Sequence, residues 1–312
     1  MRSPAIAVSG LRKAYGDKVV LDGIGFDVAA GSIFSLLGPN GAGKTTTVNV
    51  LTTLLKADAG TVRIAGHDAA TATRQVRAAI GVTGQFAAVD DLLSGRENLQ
   101  LMADLKRVSS GGQVVARLLE RFDLVEAADK PAGTYSGGMR RKLDLAMTLV
   151  GNPQIIFLDE PTTGLDPRSR RTMWGIVREL VAEGTTIFLT TQYLEEADQL
   201  ADRIAVLHQG RLVAQGTSEE LKRRIPGTHI RFRFAGPGEL DAAARVLTEA
   251  TRDDEELTLR VPAEGDTRSL RALLDRLDAH ALDAQEFSVH RPDLDDVFLT
   301  LTDTTSKEGI AQ

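Results

Sequence analysis

Nine consecutive residues constrain this chain more than any others: Gly38-Pro-Asn-Gly-Ala-Gly-Lys-Thr-Thr46. They fit the pattern G-x-x-x-x-G-K-[ST], with Gly38, Gly43, Lys44 and Thr45 at the defined positions. Chance produces the pattern in roughly 1% of chains this long, taking glycine near 7% of residues. Here it follows an apolar run, Ile33–Leu37, and opens a helical pattern from Lys44 to about Leu55, which is the strand–loop–helix context the pattern requires. Glycines let the turn through Pro39, Asn40, Gly41 and Ala42 close tightly, so that successive N–H groups converge on phosphate oxygens. The helix adds its positive N-terminal end beneath Thr45 and Thr46. Lys44 would neutralise the β- and γ-phosphates of a nucleotide, and Thr45 would place its hydroxyl on Mg²⁺.

Such a loop needs an α/β scaffold, and the first part of the chain supplies one. Ile155–Leu158 and Thr186–Leu189 are further strand-sized apolar runs, with a helical stretch from Pro167 to Ala182 between them. From Ser94 to Phe122 the period turns helical, carried by Leu99, Met102, Leu105, Val115, Leu118, Leu119 and Phe122. That stretch reads as a helical insertion, about residues 86–150, in a parallel core sheet. A break at Ile225–Thr228 divides a main domain, 1–225, from a small α/β domain, 228–312. In the latter a β-α-β-α pattern runs through Ile230–Phe234, Glu239–Leu247, Leu257–Val261 and Asp266–Leu277, with a last helix over Asp293–Leu301.

Composition closes several doors. With no cysteine there is no disulfide, thiolate metal site or thiol nucleophile. The N-terminal MRSPAIAVSG has no apolar h-region, so no signal peptide is expected. No apolar run approaches the ~20 residues a membrane-spanning helix needs. From Thr228 to Gln312 there are 18 Asp and Glu against 10 Lys and Arg, a net −8, leaving the remainder at +2. An acidic tail domain repels nucleic acid, and no nucleic-acid partner is expected.

Two more stretches carry chemistry. Ile155-Ile-Phe-Leu-Asp159-Glu160 is a buried strand ending in two carboxylates. Asp159 at the sheet's edge would orient Mg²⁺ or its waters, and Glu160 would polarise an attacking water. Ser136-Gly137-Gly138-Met139, opening a helix, is a second backbone anion cradle, this one without a lysine.

In this order, Tyr15, the phosphate loop, Gln85, Ser-Gly-Gly, Asp159-Glu160 and Gly164-Leu-Asp166 resemble the ATP-binding-cassette (ABC) ATPases, continuously from about Ile6 to Leu221. That resemblance implies a P-loop NTPase cassette with an antiparallel N-terminal sheet, binding ATP and Mg²⁺. It implies that Tyr15 stacks on adenine, although a lone tyrosine would as readily be packing. Gln85 would touch Mg²⁺ or the attacking water. Asp166 would signal across a dimer interface, whereas in isolation it reads as a helix N-cap before Pro167. At position 192, where the family usually carries a histidine against the γ-phosphate, this chain has Gln192. Its amide donates a hydrogen bond but cannot become cationic or shuttle a proton.

Gln192 within TTQYLEEADQLADRIAVL, with Val82–Gln85 and Leu294–Leu299, is similar to the daunorubicin/doxorubicin-resistance type of drug-exporter ATPase. The resemblance implies two copies head to tail, Lys44 of one and Ser136, Gly137 and Gly138 of the other sandwiching each ATP. It also implies a separate polytopic membrane permease and a place on the cytoplasmic face of the cell membrane. The rivals are a soluble ABC ATPase acting on nucleic acid or the ribosome, and an importer subunit. Ribosome-directed members usually carry two cassettes, and DNA-repair members a long coiled coil, for which the stretch from Gln85 to Ser136 has no room.

Overall fold

The computed structural model describes residues 3–84, 88–223, 227–263, 266–290, 293–298 and 300. They form two compact units, Met1–Ser218 and Glu219–Gln312.

In the first unit β1 (Ile6–Tyr15) and β2 (Lys18–Val28) make an antiparallel hairpin. β3 (Ile33–Leu37) then runs into the phosphate loop and α1 (Lys44–Leu51). α1 stops four residues short of Leu55 because Thr52 turns its hydroxyl back onto the Val48 carbonyl at 2.8 Å and Thr53 adopts φ 62°. β4 (Ala59–Ile64) and β5 (His67–Asp68) join the first hairpin in an antiparallel sheet of order β2-β1-β4-β5. α2 (Thr73–Ala79) leads to β6 (Ile80–Thr83), after which the chain leaves the core.

The excursion holds α3 (Gly95–Leu105), α4 (Gly111–Arg121) and α5 (Gly137–Leu149). A capping box starts α3, Ser94 accepting from the Glu97 N–H while the Glu97 carboxylate accepts from the Ser94 N–H. Val115, Leu118 and Leu119 form the buried stripe of α4. Leu105, expected on an apolar face, is instead 69% exposed, because α3 ends there and Arg107 turns away at φ 53°. The chain returns through β7 (Ile155–Asp159), α6 (Pro167–Ala182), β8 (Thr186–Thr191) and α7 (Leu194–Leu200). It closes with the hairpin β9 (Arg203–His208) and β10 (Arg211–Gly216); α8 (Ser218–Lys222) follows, beginning at the last residue of this unit and running into the second.

The core sheet has the order β10-β9-β3-β8-β7-β6, parallel except for the β9–β10 hairpin. All residues of β3, β7 and β8 are buried, as strands covered on both faces must be. Phe34, Phe188 and Phe157 pair across β3, β8 and β7, and Phe26 of β2 stacks on Phe34 at 5.0 Å. This row of rings pins the antiparallel sheet to the core, each buried Phe contributing roughly 1.5–3 kcal/mol. Register brings Leu37 beside Thr191 and Asp159 beside Thr190, so the phosphate loop and the acidic strand end share one sheet edge. This is the expected cassette: parallel core, antiparallel N-terminal sheet and helical insertion.

The second unit runs β11 (His229–Arg233), α9 (Pro237–Val246), β12 (Thr251–Asp253), β13 (Thr258–Pro262), α10 (Thr267–Asp278) and β14 (Glu286–His290). Its sheet, β12-β13-β11-β14, is wholly antiparallel. The β-α-β-α pattern read from the sequence thus becomes β-α-β-β-α-β, a ferredoxin-like split βαβ arrangement. β12 (Thr-Arg-Asp) is short and polar and has no apolar alternation to read. β14 carries Phe287 and Val289 on an edge, where they stay 50% and 38% exposed. Ile230, Phe232, Leu259 and Val261 pack beneath Leu240 and Ala243 of α9 and Leu273 and Leu277 of α10. Residues 294–298 are helical, with Leu294 and Val297 buried.

Candidate active site

A cleft of about 560 Å³ opens at the C-terminal edge of β3, bordered by Asn40, Gly41, Gly43, Lys44, Thr45 and Thr46 of the loop and by Glu160. The loop's shape demands its glycines. Gly41 and Gly43 have φ of 81° and 111°, a region that side chains resist. A Cβ on Gly38 would sit 2.3 Å from the Leu207 carbonyl oxygen, so the loop's first residue lies hard against β9. Gly38, Pro39 and Ala42 do not border the cleft. The carbonyls of Gly38 and Pro39 accept from Lys44 Nζ at 2.8 and 3.1 Å, and Ala42 is buried.

Lys44 is only 5% exposed, and its ammonium also meets Glu160 Oε1 at 3.1 Å. Glu160 stands just beyond β7 with φ 50°, a conformation costing of order 1–3 kcal/mol that persists only where the surroundings enforce it. Its N–H donates to both the carbonyl and the hydroxyl of Thr190 at 3.1 Å, and Thr163 donates to its carboxylate. The Thr190 hydroxyl in turn donates to Asp159 Oδ1, which fixes one oxygen of that 3%-exposed carboxylate. Behind this edge Glu196, fully buried, accepts from Thr162 at 2.8 Å and Trp174 at 3.1 Å, and burial pushes its carboxyl up.

Gln192, half-buried, follows β8 directly, next to Thr191, whose carbonyl accepts from the Gly38 N–H at 3.1 Å. Tyr15 is 51% exposed at the end of β1 and does not border the cleft; its cross-strand partner Lys18 does. Gln85 lies outside the described residues. Val19, Val20, Gln209 and Gly210 also border the cleft and escaped the sequence reading. The only trace they leave is the Gln-Gly turn of the β9–β10 hairpin, with φ 48° and 79°.

Ser136, Gly137, Gly138 and Asp166 are absent from this cleft. Ser136 caps α5, accepting from the Met139 N–H at 3.3 Å. Gly138 lets α5 approach the start of α6, where a Cβ would meet Ser169 Oγ at 2.7 Å. Asp166 caps α6, accepting from the Arg168 and Ser169 N–H groups at 3.0 Å. The Ser169 hydroxyl and N–H hold its carboxyl below the ordinary range. The second cradle thus does not border the phosphate cleft of its own chain.

A phosphate loop facing Glu160, with Asp159 buried next to it at the end of β7 and a separate Ser-Gly-Gly helix start on a helical insertion, defines the class of ATP-binding-cassette ATPases. The ABC transporter family model matches residues 21–163, and the model of the ATP-binding protein DrrA1-3-like C-terminal domain matches residues 216–302. The chain is 48% identical to daunorubicin resistance ATP-binding protein DrrA3 of Streptomyces coeruleorubidus over 97% of each chain. To the daunorubicin/doxorubicin resistance ATP-binding protein DrrA of Streptomyces peucetius it is 46% identical, over 96% of this chain and 92% of that one. A solved ATP-binding subunit of an ABC transporter superposes with a TM-score of 0.64 at 28% identity, covering 70% of this chain and 92% of the other. The chain belongs to the ABC transporter family, in the group of the daunorubicin/doxorubicin-resistance ATP-binding proteins. It is an ATP-binding, ATP-hydrolysing subunit, and no helix among the described residues is long and apolar enough to cross a membrane.

Proposed function

We propose that this chain powers export of a drug, antibiotic or other amphipathic molecule through a separate polytopic membrane protein, acting as a pair of copies on the cytoplasmic face of the cell membrane. One observation carries the catalytic part: Glu160, in a strained backbone, is held 3.1 Å from the phosphate-loop lysine. Kinship over nearly the whole length with proteins named for daunorubicin and doxorubicin resistance supports the export direction.

Lys44 would exchange Glu160 for the β- and γ-phosphates, and the freed carboxylate would take the proton of the attacking water. The Thr45 hydroxyl, at the cleft, and the Asp159 carboxylate are hard oxygen donors that suit Mg²⁺. When bound, that ion supplies charge neutralisation at the β- and γ-oxygens. Gln192 would donate its amide to the γ-phosphate without adding charge. Ser136, Gly137 and Gly138 of a second copy would complete each site, in keeping with their absence from the cleft lining within one chain. Shifting open to closed from 1:99 to 99:1 needs about 5.5 kcal/mol of differential binding, which two shared γ-phosphates would provide. Hydrolysis would remove those contacts and part the copies.

The helical insertion that starts after Gln85, especially Phe86–Asn98, would meet the membrane partner; residues 86 and 87 of it lie outside the described residues. Purifying the full chain from its native membranes in mild detergent tests this reading. A polytopic membrane protein should accompany it. A chain that comes away only with ribosomes or nucleic acid would leave the ATPase standing and sink the exporter.

A further inference from the structure

α5, the signature helix opened by Ser136-Gly137-Gly138, carries a basic run, Arg140-Arg141-Lys142, whose middle member is not a surface residue. Arg141 is 8% exposed and spends its fork on three backbone carbonyls. Nε donates to Pro161 O at 2.9 Å, Nη1 to Gly84 O at 2.8 Å and Nη2 to Asp159 O at 3.3 Å. Nη1 also meets Asp144 Oδ2, one turn along the same helix, at 3.2 Å. Asp144, 2% exposed, uses Oδ1 to accept from the Ala88 N–H at 3.1 Å.

Two features make this more than a buried ion pair. Asp159 and Pro161 flank Glu160, so one guanidinium grips the peptide carbonyls on both sides of the residue with φ 50°. Thr190 holds the same residue through its N–H. Strain of that kind survives only where several contacts over-determine it, and Arg141 supplies two of them. In addition, Gly84 and Ala88 bracket the segment containing Gln85, and the pair takes the carbonyl of one and the N–H of the other. All four anchors are therefore referred to α5, the helix that starts at Ser136.

We propose that the Arg141–Asp144 pair is a positioning pair for ATP hydrolysis: it sets the Glu160 backbone relative to the signature helix, so that turnover, rather than nucleotide binding, depends on it. The inference rests on the reading of Glu160 as the group that activates water. Neither side chain borders the phosphate cleft, so nucleotide affinity has no direct reason to change. Misplacing a reacting group by about 1 Å can cost ~10²-fold in rate. Lysine keeps the charge but presents it as a point, and cannot reach three carbonyls in one plane.

The test uses the full chain carrying Arg141→Lys, Asp144→Asn, Glu160→Gln and the Arg141→Lys/Glu160→Gln double change. Its readouts are kcat and KM for ATP, affinity for a fluorescent ATP analogue, and the melting midpoint. Arg141→Lys should lower kcat by roughly 10–100-fold with analogue affinity within about twofold of the parent. Combined with Glu160→Gln it should lose nothing further, since it acts through Glu160. Should Arg141→Lys fail to fold, Asp144→Asn, which preserves shape, must show the same split of kcat from affinity. Normal kcat in the folded variants overturns the inference, as does loss of kcat, affinity and melting midpoint together, or an additive loss in the double variant. Normal turnover in Glu160→Gln alone would instead remove Glu160 from its role, whatever Arg141→Lys does.

Discussion

The Lys44–Glu160 contact makes a counter-intuitive prediction for Glu160→Gln. Both side chains are nearly buried, at 5% and 8% exposure, and the ammonium has two further acceptors at 2.8 and 3.1 Å. At 3.1 Å and an effective dielectric near 20 the gross attraction is about 5 kcal/mol. Desolvation offsets most of it, and a charge-assisted hydrogen bond is worth about 1.5–3 kcal/mol net. The parent protein must surrender that bond when Lys44 turns to the γ-phosphate. The neutral amide of the Glu160→Gln variant would have little to surrender, and the substitution removes a negative charge from beside the phosphate. ATP should therefore bind tighter by roughly tenfold or more, while hydrolysis falls by about 10²–10⁴-fold. Lys44 keeps its two carbonyl acceptors, but the lost bond should lower the melting midpoint of the nucleotide-free protein by several degrees. Titration with a fluorescent ATP analogue, phosphate release and a melting curve on one preparation measure all three. A folded variant that binds ATP no better than the parent would refute the competition between carboxylate and phosphate.

Gly38→Ala puts a Cβ 2.3 Å from the Leu207 carbonyl oxygen, which no side-chain movement relieves. It should cost ~1–3 kcal/mol and abolish ATP binding, while Gly175→Ala in α6, with nothing within 4 Å, should stabilise by up to ~1 kcal/mol; retained ATP binding in Gly38→Ala refutes the account. Asp166, Asp68 and Glu97 are held below their ordinary values of 3.8, 3.8 and 4.5, mainly by hydrogen bonds from Ser169, from Thr71 and Ala70, and from Ser94. Depressed folded values mean stability that is complete above those ordinary values and lost as pH falls through the folded ones. Asp144 and Glu196, raised by burial, oppose this by favouring the fold when protonated. The melting midpoint should fall below about pH 4, and Asp166→Asn should flatten part of the fall; a midpoint constant to pH 3 contradicts the assignment. Gln192→His should raise steady-state phosphate release, and unchanged release would show that the site is tuned around glutamine.

Much of this was legible in the chain because it is local. Gly41 and Gly43 declare a loop whose backbone φ values of 81° and 111° exclude other residues. Pro167 behind Asp166 marks the start of α6, which runs to Ala182 as its pattern implies. What stayed hidden depends on partners distant in sequence. Val19, Val20 and Gln209 reach the cleft only because the β1–β2 and β9–β10 hairpins meet there, and neither turn carries a phosphate motif. Arg141 reads as one charge among three, and only the helix phase shows that it points inward. Asp144, three residues on, was the available signal. In the second unit β12 is three polar residues long, below what periodicity can detect.

The strand order of the core has a consequence for synthesis of the protein. β3, which delivers the phosphate loop, is completed by strands made much later: Ile33 pairs with Ile187, and Phe34 with Arg203. At 5–20 residues per second the ribosome needs roughly 8–30 s to travel from the loop to β9. Throughout that interval the loop's sequence is intact but its walls are missing, and Gly38 lacks both the Thr191 carbonyl it donates to and the strand it rests on. Nucleotide can therefore stabilise only a chain translated past β9. Truncated products keep the entire motif yet gain nothing from cellular ATP, which leaves them open to proteases that the finished cassette resists.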